Sequence, residues 1–146
     1  MDVNKTVEIL LVEDNDNDAE MALRALKKNN ISNKVTRLKD GEEALEFLFG
    51  TGKFEGRSIH NHPRVILLDL KMPKVDGLEV LKAVRSNKDT ENIPIVMLTS
   101  SREERDVVEG YKLGVNSFIV KPVEFNSFME AVKDIGIYWV ILNELP

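Results

Sequence analysis

The sequence predicts an α/β fold, a doubly wound (βα)5 sandwich in which helices cover both faces of a five-stranded parallel sheet. Short apolar runs alternate with amphipathic segments five times along the 146 residues. Three of the runs are apolar on both faces, which is typical of strands in a parallel sheet covered by helices. Right-handed crossovers between such strands give an open sandwich.

The predicted strands are short apolar runs bounded by polar or turn-forming residues. The first is too short for a helix and runs directly into acidic residues. The second is weaker, and the third, VILLDL, is the most apolar. The five strands are predicted at residues 7–12, 35–38, 65–70, 93–98 and 117–120.

An amphipathic segment follows each strand. The sequence NDAE at 17–20 has the pattern of a capping box and predicts the start of the first helix, which the asparagines at 29–30 end. Asp16 and Asp18 suit the dipole of that helix and are assigned to this role alone. The other helices are predicted after Asp40-Gly41, at 78–84, at 103–113 with Gly114 as the cap, and from Phe125.

The composition is that of one globular domain. Apolar residues make up 42% of the chain and charged residues 31%, with a net charge of −5, which argues against a nucleic-acid partner. The absence of cysteine excludes disulfides. No apolar run reaches the ~18 residues of a membrane span, and the start of the sequence has no signal-peptide pattern. We therefore expect a cytoplasmic protein.

A long polar segment at 50–64 separates the second predicted helix from the third predicted strand. It contains both histidines of the chain, His60 and His62. A metal or nuclease site built on His-Asn-His is one interpretation, but no acid stands at a useful spacing. The favoured interpretation is a solvated surface loop, although loops of this length are often functional.

Polar side chains follow four of the predicted strands at their carboxyl ends, where open parallel sheets bind ligands. Three close carboxylates are stable only when some protonate or a cation binds, and an all-oxygen ligand set favours Mg²⁺. One carboxylate can then attack a phosphoryl group whose oxygens contact a hydroxyl and a lysine. The residues in question are Glu13, Asp14, Asp69, Thr99, Ser100 and Lys121.

This set resembles the receiver domain of two-component response regulators over about residues 7–135. The resemblance is carried by the acidic pair Glu13-Asp14 and by the motifs LLDLKMPKVDG, MLTSS and FIVKP. It implies the flavodoxin-like receiver fold with strand order 2-1-3-4-5. It also implies that Asp69 is phosphorylated, that Asp14, Asp69 and the backbone carbonyl of Lys71 ligate Mg²⁺, and that Glu13 acts through a metal-bound water.

The resemblance further implies a switch. Thr99 and Ser100 would contact the phosphoryl group, Phe118 would rotate inward as Thr99 is drawn toward the site, and the surface of the last two helices and fifth strand would change. The peptide before Pro122 is expected to be cis. Some positions depart from the common pattern: Lys71 places a mobile cation beside the site, and Ser100 and Ser101 follow Thr99. Phe118 lacks the hydroxyl of the tyrosine often found there.

The expected function is that of a single-domain response regulator, not an enzyme, which a sensor histidine kinase phosphorylates on Asp69. A relay that passes the phosphoryl group to a histidine phosphotransfer protein is an alternative. So is a receiver that signals without phosphate, although the complete residue set argues against it. A haloacid-dehalogenase-type phosphatase would need a second acid where Lys71 stands. Nucleotide hydrolysis is disfavoured because no GxxxxGK[ST] loop exists.

The final segment predicts a further contact. A helix from Phe125 to residue 143 would be apolar nearly all round, so its last part would be buried on a partner. We expect a homodimer through Ile137, Val140 and Ile141, or a tail folded onto its own domain. We expect residues 1–146 to form one domain, in which residues 136–146 are a C-terminal extension. The sequence YWVILNELP in this extension is similar to the end of the single-domain regulators paired with bacterial phytochromes. As the sequence ends at Pro146 with no output domain, we expect signalling by protein contact.

Overall fold

The computed structural model describes residues 8–28 and 35–136 and contains the predicted sheet. Its five strands are all parallel, in the order β2-β1-β3-β4-β5. The fold class and the strand order are therefore confirmed. The strands are β1 (Ile9–Val12), β2 (Val35–Leu38), β3 (Val65–Asp69), β4 (Ile95–Thr99) and β5 (Ser117–Val120).

Helices cover both faces of the sheet. Two helices, α1 and α5, pack on one face, and three, α2 to α4, pack on the other. None of the helices in the described ranges has the length and hydrophobicity of a membrane span. The helices are α1 (Asp16–Lys27), α2 (Gly41–Phe49), α3 (Gly77–Arg85), α4 (Arg102–Gly110) and α5 (Phe125–Asp134), and a short 3-10 helix occupies Gly52–Phe54.

The three central strands are buried along their whole length, as their apolar sequences predict. Successive side chains of a strand point to opposite faces. Leu10 accordingly lies in the core beneath α2 to α4, while Ile9 and Leu11 lie in the core beneath α1 and α5. Burial of each such aliphatic side chain contributes about 1.5–3 kcal/mol. The sheet is thus a rigid platform whose carboxyl edge presents the polar residues.

The start of α1 differs from the prediction. The side chain of Asn15 accepts a hydrogen bond of 2.9 Å from the backbone N–H of Asp18, so Asn15 is the N-cap and the helix begins at Asp16. The predicted capping box at 17–20 is wrong because those residues already lie inside the first turns. Side chains of Asp40, Asp76 and Ser101 cap α2, α3 and α4 in the same way.

Two helices end earlier than predicted. Helix α4 stops at Gly110, and the residues that follow include Lys112 and Gly114 at φ values of 51° and 84°, which belong to the left-handed region. Helix α5 stops at Asp134, and Gly136 has a φ of 80°. A single helix from Phe125 to residue 143 is therefore wrong.

The predicted dimer contacts, Ile137, Val140 and Ile141, lie outside the described residues. The homodimer and the alternative of a folded-back tail stay predictions.

The segment 50–64 is docked on α2 and is not wholly solvated. Phe54 and Arg57 are only 6% and 5% exposed. The Phe54 ring meets the Phe47 ring edge-on at 5.1 Å, and the Arg57 guanidinium carbon lies 3.8 Å from the Phe47 ring centroid. Arg57 also donates a 2.6 Å hydrogen bond to the carbonyl of Asn61. Aromatic and cation–π contacts therefore hold this loop against the domain.

Gly77 gives a test of how tightly α3 fixes the end of β3. A Cβ at this position would lie 2.4 Å from the carbonyl oxygen of Asp69 and 2.9 Å from the Cα of Leu70. We expect Gly77→Ala to lower the free energy of unfolding in urea by about 1–3 kcal/mol, because backbone atoms must move. The control Glu79→Ala, at an exposed position of α3, should change it by about 0.5 kcal/mol at most. Equal stability of Gly77→Ala and wild type would contradict the tight packing.

Candidate functional site

Acidic side chains converge at the carboxyl edge of the sheet, as predicted. Glu13 follows β1 and is 1% exposed, Asp69 ends β3 and is 3% exposed, and Asp14 is open to solvent. One carboxylate oxygen from each of the three lies within 4.8 Å of the others. In residues 8–28 and 35–136 this is the one group of three or more acidic or histidine side chains arranged so closely.

Lys121 is the positive centre of this edge. Its Nζ lies 3.1 Å from an oxygen of Asp69, 3.2 Å from one of Glu13 and 3.3 Å from one of Asp18. An ammonium has three donors, so each of its N–H groups has a carboxylate acceptor. Lys121 follows β5, and its peptide bond to Pro122 is cis, as predicted.

Asp18 is a site residue that the sequence prediction missed. It was assigned only to the start of α1, but its carboxylate also contacts Lys121. The signal was its place in the first turn of the helix that directly follows Glu13-Asp14, which returns its side chain to the same edge of the sheet. Asp16, by contrast, pairs with Arg37 at 3.0 Å.

The loop between β1 and α1 is held from two sides. Arg37 of β2 donates to the carbonyl oxygen of Glu13 from Nε at 2.9 Å and from Nη2 at 2.7 Å. The Glu13 carboxylate accepts a 3.2 Å hydrogen bond from the backbone N–H of Asn15. These contacts fix the acidic pair against the central strand.

The single ammonium does not balance the carboxylates around it. Burial and the neighbouring Glu13 raise the pKa of Asp69 and outweigh the opposing effect of Lys121, so that it reaches about 8. Burial lowers the pKa of Lys121, but Asp69 and Glu13 outweigh that effect and hold it above its usual value. Negative charge therefore remains in excess and favours the binding of a further cation.

The donor set fits a hard divalent cation. Glu13, Asp14 and Asp69 offer only oxygen, which Mg²⁺ and Mn²⁺ prefer over softer metals. Because Asp14 faces solvent, an ion held here would keep several of its waters, as Mg²⁺ does in proteins. Ligation by the Lys71 carbonyl stays a prediction.

Thr99, at the end of β4, presents an unsatisfied hydroxyl. Its side chain is fully buried, and its Oγ1 has no hydrogen-bond partner among the residues that the structure describes. Buried hydroxyls nearly always have a partner, because leaving one without costs about 1–3 kcal/mol. Asp69 pairs in register with Leu98, the neighbour of Thr99. The hydroxyl thus has an unused donor at the end of the strand that neighbours β3.

Thr99 and the predicted switch residue Phe118 share one face of the sheet. Met97 pairs in register with Phe118, and Thr99 stands two residues after Met97 on the same strand. Phe118 is half-buried against the core beneath α2 to α4, and the guanidinium carbon of Arg105 lies 5.2 Å from its ring centroid. Thr99 and Phe118 therefore lie on the same face of neighbouring strands, as a coupled movement of the two side chains requires. The movement itself stays a prediction.

Glu104 joins two residues predicted for the site and was also missed. Its Oε1 accepts a 2.7 Å hydrogen bond from the backbone N–H of Ser100, and its Oε2 lies 3.1 Å from Nζ of Lys71. Neither donor is therefore directed at Asp69. The available signal was the pattern Ser101-x-x-Glu104, which is typical of a helix start.

The histidines do not form a second site of this kind. Nδ1 of His60 lies 3.9 Å from the carboxylate of Asp89, and His60 is exposed. Partial burial lowers the pKa of His62, and the charges of His60 and Arg57 lower it further. Within the described ranges, neither histidine belongs to a group of three potential ligands.

The fold and this edge define a receiver. The family model of the response regulator receiver domain matches residues 9–133. The chain therefore belongs to the response regulator receiver family of two-component signalling.

Its relatives include regulators associated with phytochromes. The solved bacteriophytochrome response regulator RtBRR is 54% identical, with a TM-score of 0.86, and the match covers 94% of this chain and 82% of that one. Rcp1 of Synechocystis sp. is 38% identical over 94% of this chain and 92% of its own, and its Mn(2+)-bound structure has a TM-score of 0.70. The phosphorylated cyanobacterial phytochrome response regulator RcpA is 35% identical over 97% and 99% of the two chains, with a TM-score of 0.72.

The raised pKa of Asp69 predicts pH-dependent metal binding. Below about pH 8 a proton occupies Asp69 and competes with the metal. We expect the affinity for Mg²⁺, measured by isothermal titration calorimetry, to fall from pH 8 to pH 6 by up to about tenfold per pH unit. Asp69→Asn should bind more weakly with a flatter pH profile. A flat profile in the wild type would contradict the assignment of Asp69 as a ligand.

Lys121 should be essential for the stability of the metal-free protein. Lys121→Met leaves Glu13 and Asp69 buried without a countercharge, which is expected to lower the free energy of unfolding at pH 8 by about 3 kcal/mol or more. Added Mg²⁺ should restore part of the loss. Lys82→Met, which removes an exposed lysine of α3, is the control for urea unfolding. An equal effect of both substitutions would show that Lys121 does not carry this role.

Proposed function

We propose that this protein is a response regulator that accepts a phosphoryl group on Asp69 from a sensor histidine kinase, in a reaction that requires Mg²⁺. One observation carries the proposal: the Asp69 carboxylate belongs to the acidic cluster suited to the metal and also lies 3.1 Å from the ammonium of Lys121. The unpartnered hydroxyl of Thr99 at the end of the adjacent strand supports it. The phosphorylated state of the relative RcpA is consistent with the same chemistry.

The proposed step is a displacement at phosphorus. A carboxylate oxygen of Asp69 forms the new P–O bond as the P–N bond of the kinase phosphohistidine breaks. The electron pair of that bond goes to the imidazole, which takes up a proton from solvent. Such transfers depend mainly on positioning and on charge neutralisation.

Several residues at the edge take part in this step. Glu13, Asp14 and Asp69 would hold Mg²⁺, with the Lys71 carbonyl as the further ligand that the family resemblance implies. The bound ion supplies positive charge that neutralises the phosphoryl oxygens. The ammonium of Lys121 shifts from Asp69 and Glu13 to one phosphoryl oxygen. The hydroxyl of Thr99 donates a hydrogen bond to a second phosphoryl oxygen.

The proposed output is a change of surface. As Thr99 moves toward the phosphoryl group, Phe118 on the same face rotates inward, which requires its ring to leave the guanidinium of Arg105. Phe118 and Arg105 both line an open groove of about 810 Å³ between α4, β5 and α5. The rearrangement would alter this groove and so the contacts made with a target protein.

The kinase we propose is of the bacteriophytochrome class. The support is the 54% identity to RtBRR over 94% of this chain. In this proposal the protein turns over no external substrate beyond slow Mg²⁺-dependent phosphorylation and dephosphorylation of itself. Transfer onward to a histidine phosphotransfer protein, the homodimer and the cytoplasmic location stay predictions.

Acetyl phosphate tests the acceptor directly. With Mg²⁺, we expect the intact mass of the wild type to increase by one phosphoryl group, because Asp69 is positioned as the nucleophile. Asp69→Asn and metal-free wild type should show no increase, whereas Asp106→Asn, at an exposed position of α4, should behave as wild type. A phosphoryl group retained in Asp69→Asn, or none in the wild type with Mg²⁺ present, would overturn the proposal.

A further inference from the structure

One carboxylate, that of Glu104, spans the opening between the loop after β3 and the loop after β4. Its Oε1 accepts from the backbone N–H of Ser100, and its Oε2 pairs with the ammonium of Lys71. Ser100 directly follows Thr99, and Lys71 stands two residues after Asp69. Glu104 therefore occupies two donors, one on the loop that follows Thr99 and one on the loop that follows the acceptor Asp69.

The Glu104 carboxylate is held as an anion. The hydrogen bond from Ser100 lowers its pKa, and the positive charges of Lys71 and Lys121 lower it further. Its side chain is 18% exposed, whereas that of Lys71 is 75% exposed. The carboxylate is thus fixed at the rim, within electrostatic reach of Lys121, while the lysine it pairs with can move.

We infer that Glu104 is a positioning residue that competes with the incoming phosphoryl group for Lys71 and Ser100 and so slows phosphorylation of Asp69. This inference rests on the proposed function and adds a regulator to the same site. In the unphosphorylated protein the carboxylate satisfies both donors. A phosphoryl group on Asp69 brings more negative charge to the same rim, repels Glu104 and takes over the ammonium of Lys71.

Glu104 should slow the transfer of a phosphoryl group from acetyl phosphate to Asp69. In that reaction Asp69 forms the new P–O bond, the bond from phosphorus to the acetyl oxygen breaks, and acetate leaves with the electron pair. The donor is an anion, so Glu104 opposes both its approach and its contact with Lys71. Removal of this one charge should therefore accelerate the reaction.

The test compares Glu104→Gln with wild type in acetyl phosphate and Mg²⁺, with the intact mass followed over time. The amide oxygen of glutamine can still accept from Ser100, so the helix start is retained, which circular dichroism checks. We expect the second-order rate constant to rise by about three- to tenfold, the effect of removing one nearby charge from a partly solvated site. The rise should shrink at high ionic strength, because salt screens charges at the surface.

Glu103→Gln is the matched control. It removes the same charge from the same turn of α4, at an exposed position, and should change the rate constant less than about twofold, since exposed charges interact weakly. A second comparison uses Lys71→Met in the Glu104→Gln protein. Because the freed ammonium is the group that attracts the donor, the double variant should lose most of the gain.

The outcomes separate this inference from the proposed function. A wild type that gains no phosphoryl group contradicts the proposed function itself. A wild type that is phosphorylated, together with a Glu104→Gln rate equal to that of Glu103→Gln or slower than wild type, overturns the role of Glu104 alone. An increase in the rate constant of Glu104→Gln that changes neither with ionic strength nor with the added Lys71→Met substitution would show a structural effect. That result would also overturn the role of Glu104.

Discussion

The structure of this site depends on one ammonium shared among carboxylates. Lys121 contacts Asp69, Glu13 and Asp18 at once, although these residues come from β3, the end of β1 and the start of α1. Without that charge, the buried acids at the edge of an apolar sheet would repel one another more strongly and hold protons to still higher pH. With it, the acids stay close together but incompletely neutralised. The same arrangement therefore holds the acids together and leaves a negative charge that favours a metal ion.

The parallel sheet makes this arrangement possible. All five strands point the same way, so the residues after β1, β3, β4 and β5 meet at one edge. The buried strands hold the backbone, and Arg37 and Asn15 fix the loop that carries Glu13. Function resides in short loops whose positions are set by a rigid apolar core.

Local sequence patterns predicted the strands and the residues at their carboxyl ends. Strands β2 and β5 were found at their observed bounds, and Glu13, Asp14, Asp69, Thr99 and Lys121 were placed at the correct edge, because apolar runs and strand ends are visible in one dimension. Contacts between distant segments were not predictable in this way. The pairing of Asp18 with Lys121 joins residues 103 positions apart, and the contact of Glu104 with Lys71 depends on how α4 approaches the loop after β3. The end of α5 was missed because its apolar period continues past the glycine that terminates the helix.

Under the proposed function, the buried hydroxyl of Thr99 is a position where selection for signalling opposes selection for stability. An apolar side chain of the same shape would fit the core without an unpaired donor, so folding alone does not explain a threonine here. Local rules are broken mainly at functional positions, where the cost is tolerated for what the group does. Laboratory selection for thermal stability alone would therefore be expected to replace Thr99 early and to yield a sturdier domain that has lost its response.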